Sequence, residues 1–64
     1  MNPGTMFITK CNAMLYREPS HDYSDIEIPS HTLGIFIESA GMLYSLVIVG
    51  GYAGEILTTK TEKI

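Results

Sequence analysis

The chain has almost none of the features that stabilise very small secreted proteins. Its 64 residues include a single cysteine, Cys11, so no intrachain disulfide can form and a disulfide-stapled miniprotein is excluded. Basic residues number four against seven acids, giving a net charge of −3; with so few cations, nucleic acid is not an expected partner. Charged residues make up only 17% and hydrophobic residues 45%, which is not the composition of a disordered chain. No basic segment followed by an apolar run opens the sequence, so no export signal is read and a cytoplasmic location is expected. The longest weakly charged stretch, Thr32 to Gly54, has sixteen residues between Glu38 and Glu55, four of them glycine. A spanning helix needs about 20 apolar residues, and clustered glycines beside Val47, Ile48 and Val49 favour strands, so a membrane span is not expected. Only Lys60 and Lys63 follow this stretch, which keeps a small membrane protein as a third reading.

Helical periodicity is also missing, whereas alternation is frequent. Thr5 to Lys10 is rich in β-formers, with Met6 and Ile8 on one face and Phe7 and Thr9 on the other. Cys11 to His31 is long and polar, holds Pro19 and Pro29, and reads as a loop with a short extended piece at Met14 to Arg17. Thr32 to Ser39 alternates, placing Leu33, Ile35 and Ile37 inward and Gly34, Phe36 and Glu38 outward. Ala40-Gly41 is a turn, and Met42 to Val49 is a strand apolar on both faces. Gly50-Gly51 has the composition of a two-residue hairpin turn, and Tyr52 to Thr58 returns as the partner strand. The tail, Thr59 to Ile64, has room for one helical turn and a closing strand. One domain over residues 1–64 is expected, all-β, with five short strands.

Strand, long loop, three-stranded meander and closing tail is the order of an SH3-like barrel, and the motifs run in register with it. Leu15-Tyr16-Arg17-Glu18-Pro19-Ser20 resembles the segment that opens the long loop of bacterial SH3-like domains. Thr32-Leu33-Gly34-Ile35-Phe36-Ile37 resembles their next strand. Val47-Ile48-Val49 with Gly51 and Gly54-Glu55-Ile56 resembles their glycine hairpin, and Glu62-Lys63-Ile64 stands at the closing strand. Ala13-Met14-Leu15-Tyr16 is similar to the "ALYDY" of eukaryotic SH3 domains. Small phage and viral proteins of this kind are similar in length, which implies a phage origin and a host cytoplasm. The family's usual tryptophans are absent: Leu43-Tyr44 stands at one and Glu55 at the other. The resemblance therefore implies the fold, a small five-stranded SH3-like barrel, more strongly than the family's ligands.

Catalytic chemistry finds little support. His21, Asp22, Asp25 and His31 match no metal-ligand spacing, and Cys11 lacks the partner pattern of a thiol nucleophile. Gly50 to Gly54 lacks the Lys-Ser/Thr and the helix of a phosphate loop. No enzyme, metal or cofactor is expected. Four of the seven acids, Glu18, Asp22, Asp25 and Glu27, fall within ten residues of the long loop, beside Tyr16 and Tyr23. A solvated loop accounts for them; the functional alternative is an SH3-type adaptor. It would take a proline-rich or basic peptide on Tyr16, Glu18, Asp22, Tyr23 and Asp25. Tyr44 and Tyr52 are expected to pack across the sheet.

The two-sided strand carries the leading reading. A small barrel has one interior, so either Tyr44, Leu46 and Ile48 or Leu43, Val47 and Val49 must face out. With Ile35, Ile37, Leu46 and Ile48 assigned to the core, Phe36, Leu43, Val47 and Val49 form an exposed apolar patch, expected to bury itself in a homo-oligomer. A one-residue slip of register exchanges the two sets. The expected function is a non-enzymatic interaction or assembly protein that self-associates.

Overall fold

A computed structural model describes residues 1–17 and 25–64. The described residues are all-β, with seven strands and one turn of 3-10 helix. In chain order these are β1 (Met6–Thr9), β2 (Ala13–Leu15), β3 (Ile26–Ile28), β4 (Leu33–Ala40), β5 (Tyr44–Val49) and β6 (Tyr52–Leu57). The 3-10 turn (Thr58–Lys60) and β7 (Thr61–Lys63) follow. Five strands form an antiparallel sheet in the order β6-β5-β4-β1-β7, and β2 pairs with β3 in a separate hairpin. The expected strands are all present, but the loop contains a further one, β3, paired to the short extended piece as β2. Hydrogen bonding does not close the large sheet on itself: β6 and β7 are its two edges. The hairpin is tied to the β6 edge by a two-bond bridge, Tyr16 N–H to Glu55 O at 2.8 Å and Glu55 N–H to Tyr16 O at 2.9 Å.

The turns follow from the sequence. Gly50 and Gly51 have φ of 62° and 86°, the positive values that both central residues of a type I′ hairpin need, and Val49 pairs with Tyr52 across them. Thr9, whose side chain is fully buried, ties β1 to the β3–β4 connection. Its hydroxyl donates to the Pro29 carbonyl at 2.8 Å and accepts from the Thr32 N–H at 2.8 Å. Buried Ser45 shares a 2.6 Å hydrogen bond with the Thr58 hydroxyl, so the 3-10 turn is held against β5.

One face of the sheet packs on the hairpin to make the core. Phe7, Phe36, Val47, Val49 and Ile56 come from the sheet and Ala13, Leu15 and Ile28 from the hairpin. This corrects the expected phase of the central strands. Val47 and Val49 are 0% and 1% exposed and Phe36 is 4%, whereas Ile35 and Ile48 are 43% and 46% exposed. The cause is Gly34. It points inward opposite Phe7, and a Cβ there would lie 2.5 Å from the Phe7 Cζ and 2.9 Å from Cε2. The Phe7 ring thus occupies the side-chain space of Gly34, and an inward glycine leaves Phe36 inward two residues later. The alternation of Leu33, Ile35 and Ile37 does not define one continuous face either. A β-bulge between Phe36 and Glu38 leaves Ile37 without a partner.

Candidate interaction surface

Among the described residues, the hairpin covers one face of the five-stranded sheet and no strand packs on the opposite face. Its outward positions follow from the register. Met6 pairs with Ile35, Ile35 with Ile48, and Ile48 with Ala53, giving one apolar row across four strands. Met6 is 50% exposed, and Ile35 and Ile48 are nearly so. One row along, Ile8 pairs with Leu33 on one side and Glu62 on the other; Leu33 is 54% exposed. On the opposite side of the central row, Leu46 lies between Glu38 and Glu55. Successive rows on one face are about 7 Å apart. The apolar row therefore has carboxylates on both flanks. The basic residues nearest the face, Lys10 and Lys60, follow Ile8 and precede Glu62 at the end of the β1–β7 ladder, where the Lys10 N–H donates to the Lys60 carbonyl at 2.9 Å.

The residues expected at a self-association contact are not on this face. Phe36, Val47 and Val49 are core residues, and Leu43 is exposed in the β4–β5 turn, where its carbonyl accepts from the Thr58 N–H at 2.9 Å. An apolar strand on two faces contains two candidate patches, and folding buried the one expected outside.

A second feature lies at the rim. The Tyr16 ring meets the Tyr44 ring edge-on, with centroids 5.9 Å apart and planes at 79°, and Tyr16 remains 41% exposed. The Arg17 guanidinium stands 5.5 Å from the Tyr52 ring centroid, in cation–π range. Tyr44 is half-buried, but its neighbour is Tyr16 of the hairpin, a contact that cross-strand pairing alone does not reveal. Of the expected peptide-binding set, Tyr16 is at this rim and Asp25 is exposed just before β3; Glu18, Asp22 and Tyr23 lie outside the described residues.

Among the described residues, no three His, Cys, Asp or Glu side chains gather at a point. His31 sits in the β3–β4 turn at φ 65°, its Nδ1 3.0 Å from the Ser30 hydroxyl, and Cys11 is exposed with a free thiol. His21 lies outside the described residues. No helix among the described residues is long and apolar enough to cross a membrane. No protein-family model matches the chain, and searches of curated proteins and of solved structures find nothing similar to it.

Proposed function

We propose that the protein is a non-enzymatic interaction module on an SH3-like barrel, acting through the open face of its five-stranded sheet. The fold reading is supported by chain order: a strand, a hairpin-bearing loop, a three-stranded meander, a 3-10 turn and a short closing strand that returns to β1. The barrel is open between β6 and β7. The observation that carries the function is the Met6–Ile35–Ile48 row: three large apolar side chains about half exposed, side by side and joined by Leu33. A contiguous apolar patch of this kind on a small protein marks a contact surface. The homo-oligomer expected from the sequence would use this face rather than Phe36, Val47 and Val49.

The second reading is an SH3-type adaptor that takes a proline-rich or basic peptide at the rim. It is favoured by the exposed Tyr16 ring braced edge-on by Tyr44, with Arg17 on Tyr52 beside it. Peptide display against the purified protein separates the two. Binders lost with the Ile35→Ser/Ile48→Ser variant place recognition on the sheet face. Binders lost only with Tyr16→Ala place it at the rim. A library yielding no binder, from a protein that is also monomeric at high concentration, would reject both.

A further inference from the structure

We infer that the sheet face takes a cationic amphipathic helix from another protein, in preference to a second copy of this chain. The inference rests on the sheet face being the working surface, and it concerns who occupies it. The first argument is charge. The charged side chains at outward positions within the strands are carboxylates: Glu38 and Glu55 flank the apolar row on one side and Glu62 lies on the other, with Lys10 and Lys60 just past the strand ends beyond Glu62. Two copies packed face to face would gather six carboxylates around one buried apolar patch; four of them, Glu38 and Glu55 of each copy, have no cation in their own row, while Lys10 and Lys60 lie beyond Glu62 on the other flank. Like charges forced together across an interface are strongly unfavourable. A partner with lysine or arginine on both sides of an apolar stripe turns the same three groups into ion pairs at the rim, where water still reaches them.

The second argument is backbone satisfaction. A segment lying on the face of a sheet finds no free N–H or C=O groups there, because those of the sheet are used within its plane. An extended segment would leave its own backbone groups unpaired against apolar side chains, whereas a helix satisfies them internally. The dimensions agree. The row from Met6 on β1 to Ala53 on β6 crosses four strands, about 14 Å at the usual strand spacing, which about ten helical residues cover at a rise of 1.5 Å each. The flanking carboxylate rows, each about 7 Å from the centre line, leave a track wide enough for a helix of about 10 Å diameter.

The test uses the whole 64-residue chain and a fluorescein-labelled synthetic helix of fourteen residues, with leucine on one face and lysine and arginine on its flanks. Its control carries glutamate at the flanking positions. Anisotropy titration at low salt should show the cationic helix binding at least tenfold more tightly than the acidic one, with binding weakening as salt is raised. Ile35→Ser/Ile48→Ser should weaken binding at least tenfold with an unchanged circular dichroism spectrum. Glu38→Gln/Glu55→Gln should weaken it about three- to tenfold. Asp25→Asn/Glu27→Gln makes the same change of net charge away from the face and should leave binding unaltered. An equal loss from the off-face pair, or equal binding of both helices, would overturn the inference as non-specific attraction. A protein that dimerises, with the dimer abolished by the isoleucine variant, would overturn it while leaving the sheet face as the working surface. No dependence on Ile35 or Ile48 in any assay would remove both.

Discussion

Replacing Gly34 by alanine tests the phase of the whole fold, because the two possible phases predict opposite signs. If Gly34 faced solvent, alanine would stabilise the protein by about 0.4–1 kcal/mol, chiefly by restricting the unfolded chain. In the structure the added methyl would lie 2.5 Å and 2.9 Å from two atoms of the Phe7 ring and 3.0 Å from the Ile48 carbonyl oxygen. Neither obstacle yields easily. Phe7 is fully buried among core side chains, and the carbonyl belongs to the strand next to β4. Overpacking of this kind costs about 1–3 kcal/mol, enough to outweigh the chain-entropy gain. A 64-residue domain at the usual stability per residue holds roughly 3–10 kcal/mol in reserve. A loss of about 2 kcal/mol would therefore lower the melting temperature by about 15 °C without abolishing folding.

Urea unfolding followed by circular dichroism and tyrosine fluorescence measures the loss. A double-mutant cycle assigns it. Phe7→Leu shortens the side chain at the clashing end and by itself costs about 1–2 kcal/mol of apolar burial. If the ring fills the space of Gly34, the double variant should be more stable than the sum of the two losses by about 1 kcal/mol or more. A Gly34→Ala protein as stable as the parent, or a strictly additive double variant, would refute the Phe7–Gly34 argument and with it the assignment of faces.

Three further outcomes follow from the same packing. Val47→Glu should prevent folding, since an unpaired buried charge costs several kcal/mol, whereas Ile48→Glu on the open face should fold with a melting temperature within a few degrees of the parent; the reverse pattern in circular dichroism would restore the expected phase. Thr9→Val should cost about 1–2 kcal/mol, because the Thr32 N–H loses its acceptor and the Pro29 carbonyl one of its two donors, and an unchanged urea midpoint would contradict that role. Thr58→Val changes an exposed residue yet should cost about 1 kcal/mol by stranding the buried Ser45 hydroxyl, a loss that Ser45→Ala in the same chain should largely remove.

The sequence was informative where residue types constrain the backbone locally. Gly50-Gly51 marked the hairpin, β-branched residues marked β1 and β5, and the tail had room for a single turn before a closing strand. Strand β3 was missed because Ile26-Glu27-Ile28 is three residues long and embedded in acids and prolines; its pairing to Ala13–Leu15 is a tertiary fact. The Tyr16–Tyr44 contact was missed for a related reason, since it depends on the hairpin being bridged to β6. The phase of β4 and β5 was not legible at all. A strand with apolar residues on both sides carries no preference between its faces, and alternation alone groups Gly34 with the outward polar positions although its missing side chain makes room for Phe7.

Once that phase is set, the bulge in β4 explains how acids come to border the apolar row. Before the bulge, Gly34 and Phe36 point inward, so an uninterrupted strand would turn Glu38 inward as well. It would then lie on the side of Val47 and buried Ser45, where an unpaired carboxylate costs several kcal/mol. The unpartnered Ile37 shifts the register by one. Glu38 then comes out opposite Leu46, and Ser39, uncharged and still exposed, takes the position paired with buried Ser45. The same shift that keeps a carboxylate out of the core thus delivers it to the edge of the Met6–Ile35–Ile48 row. Glu55 arrives there independently, through its pairing with Leu46 from the other side. The acidic border of the open face is therefore partly a consequence of folding, and its pairing with an exposed apolar row is the ground on which we infer a cationic partner rather than a second copy.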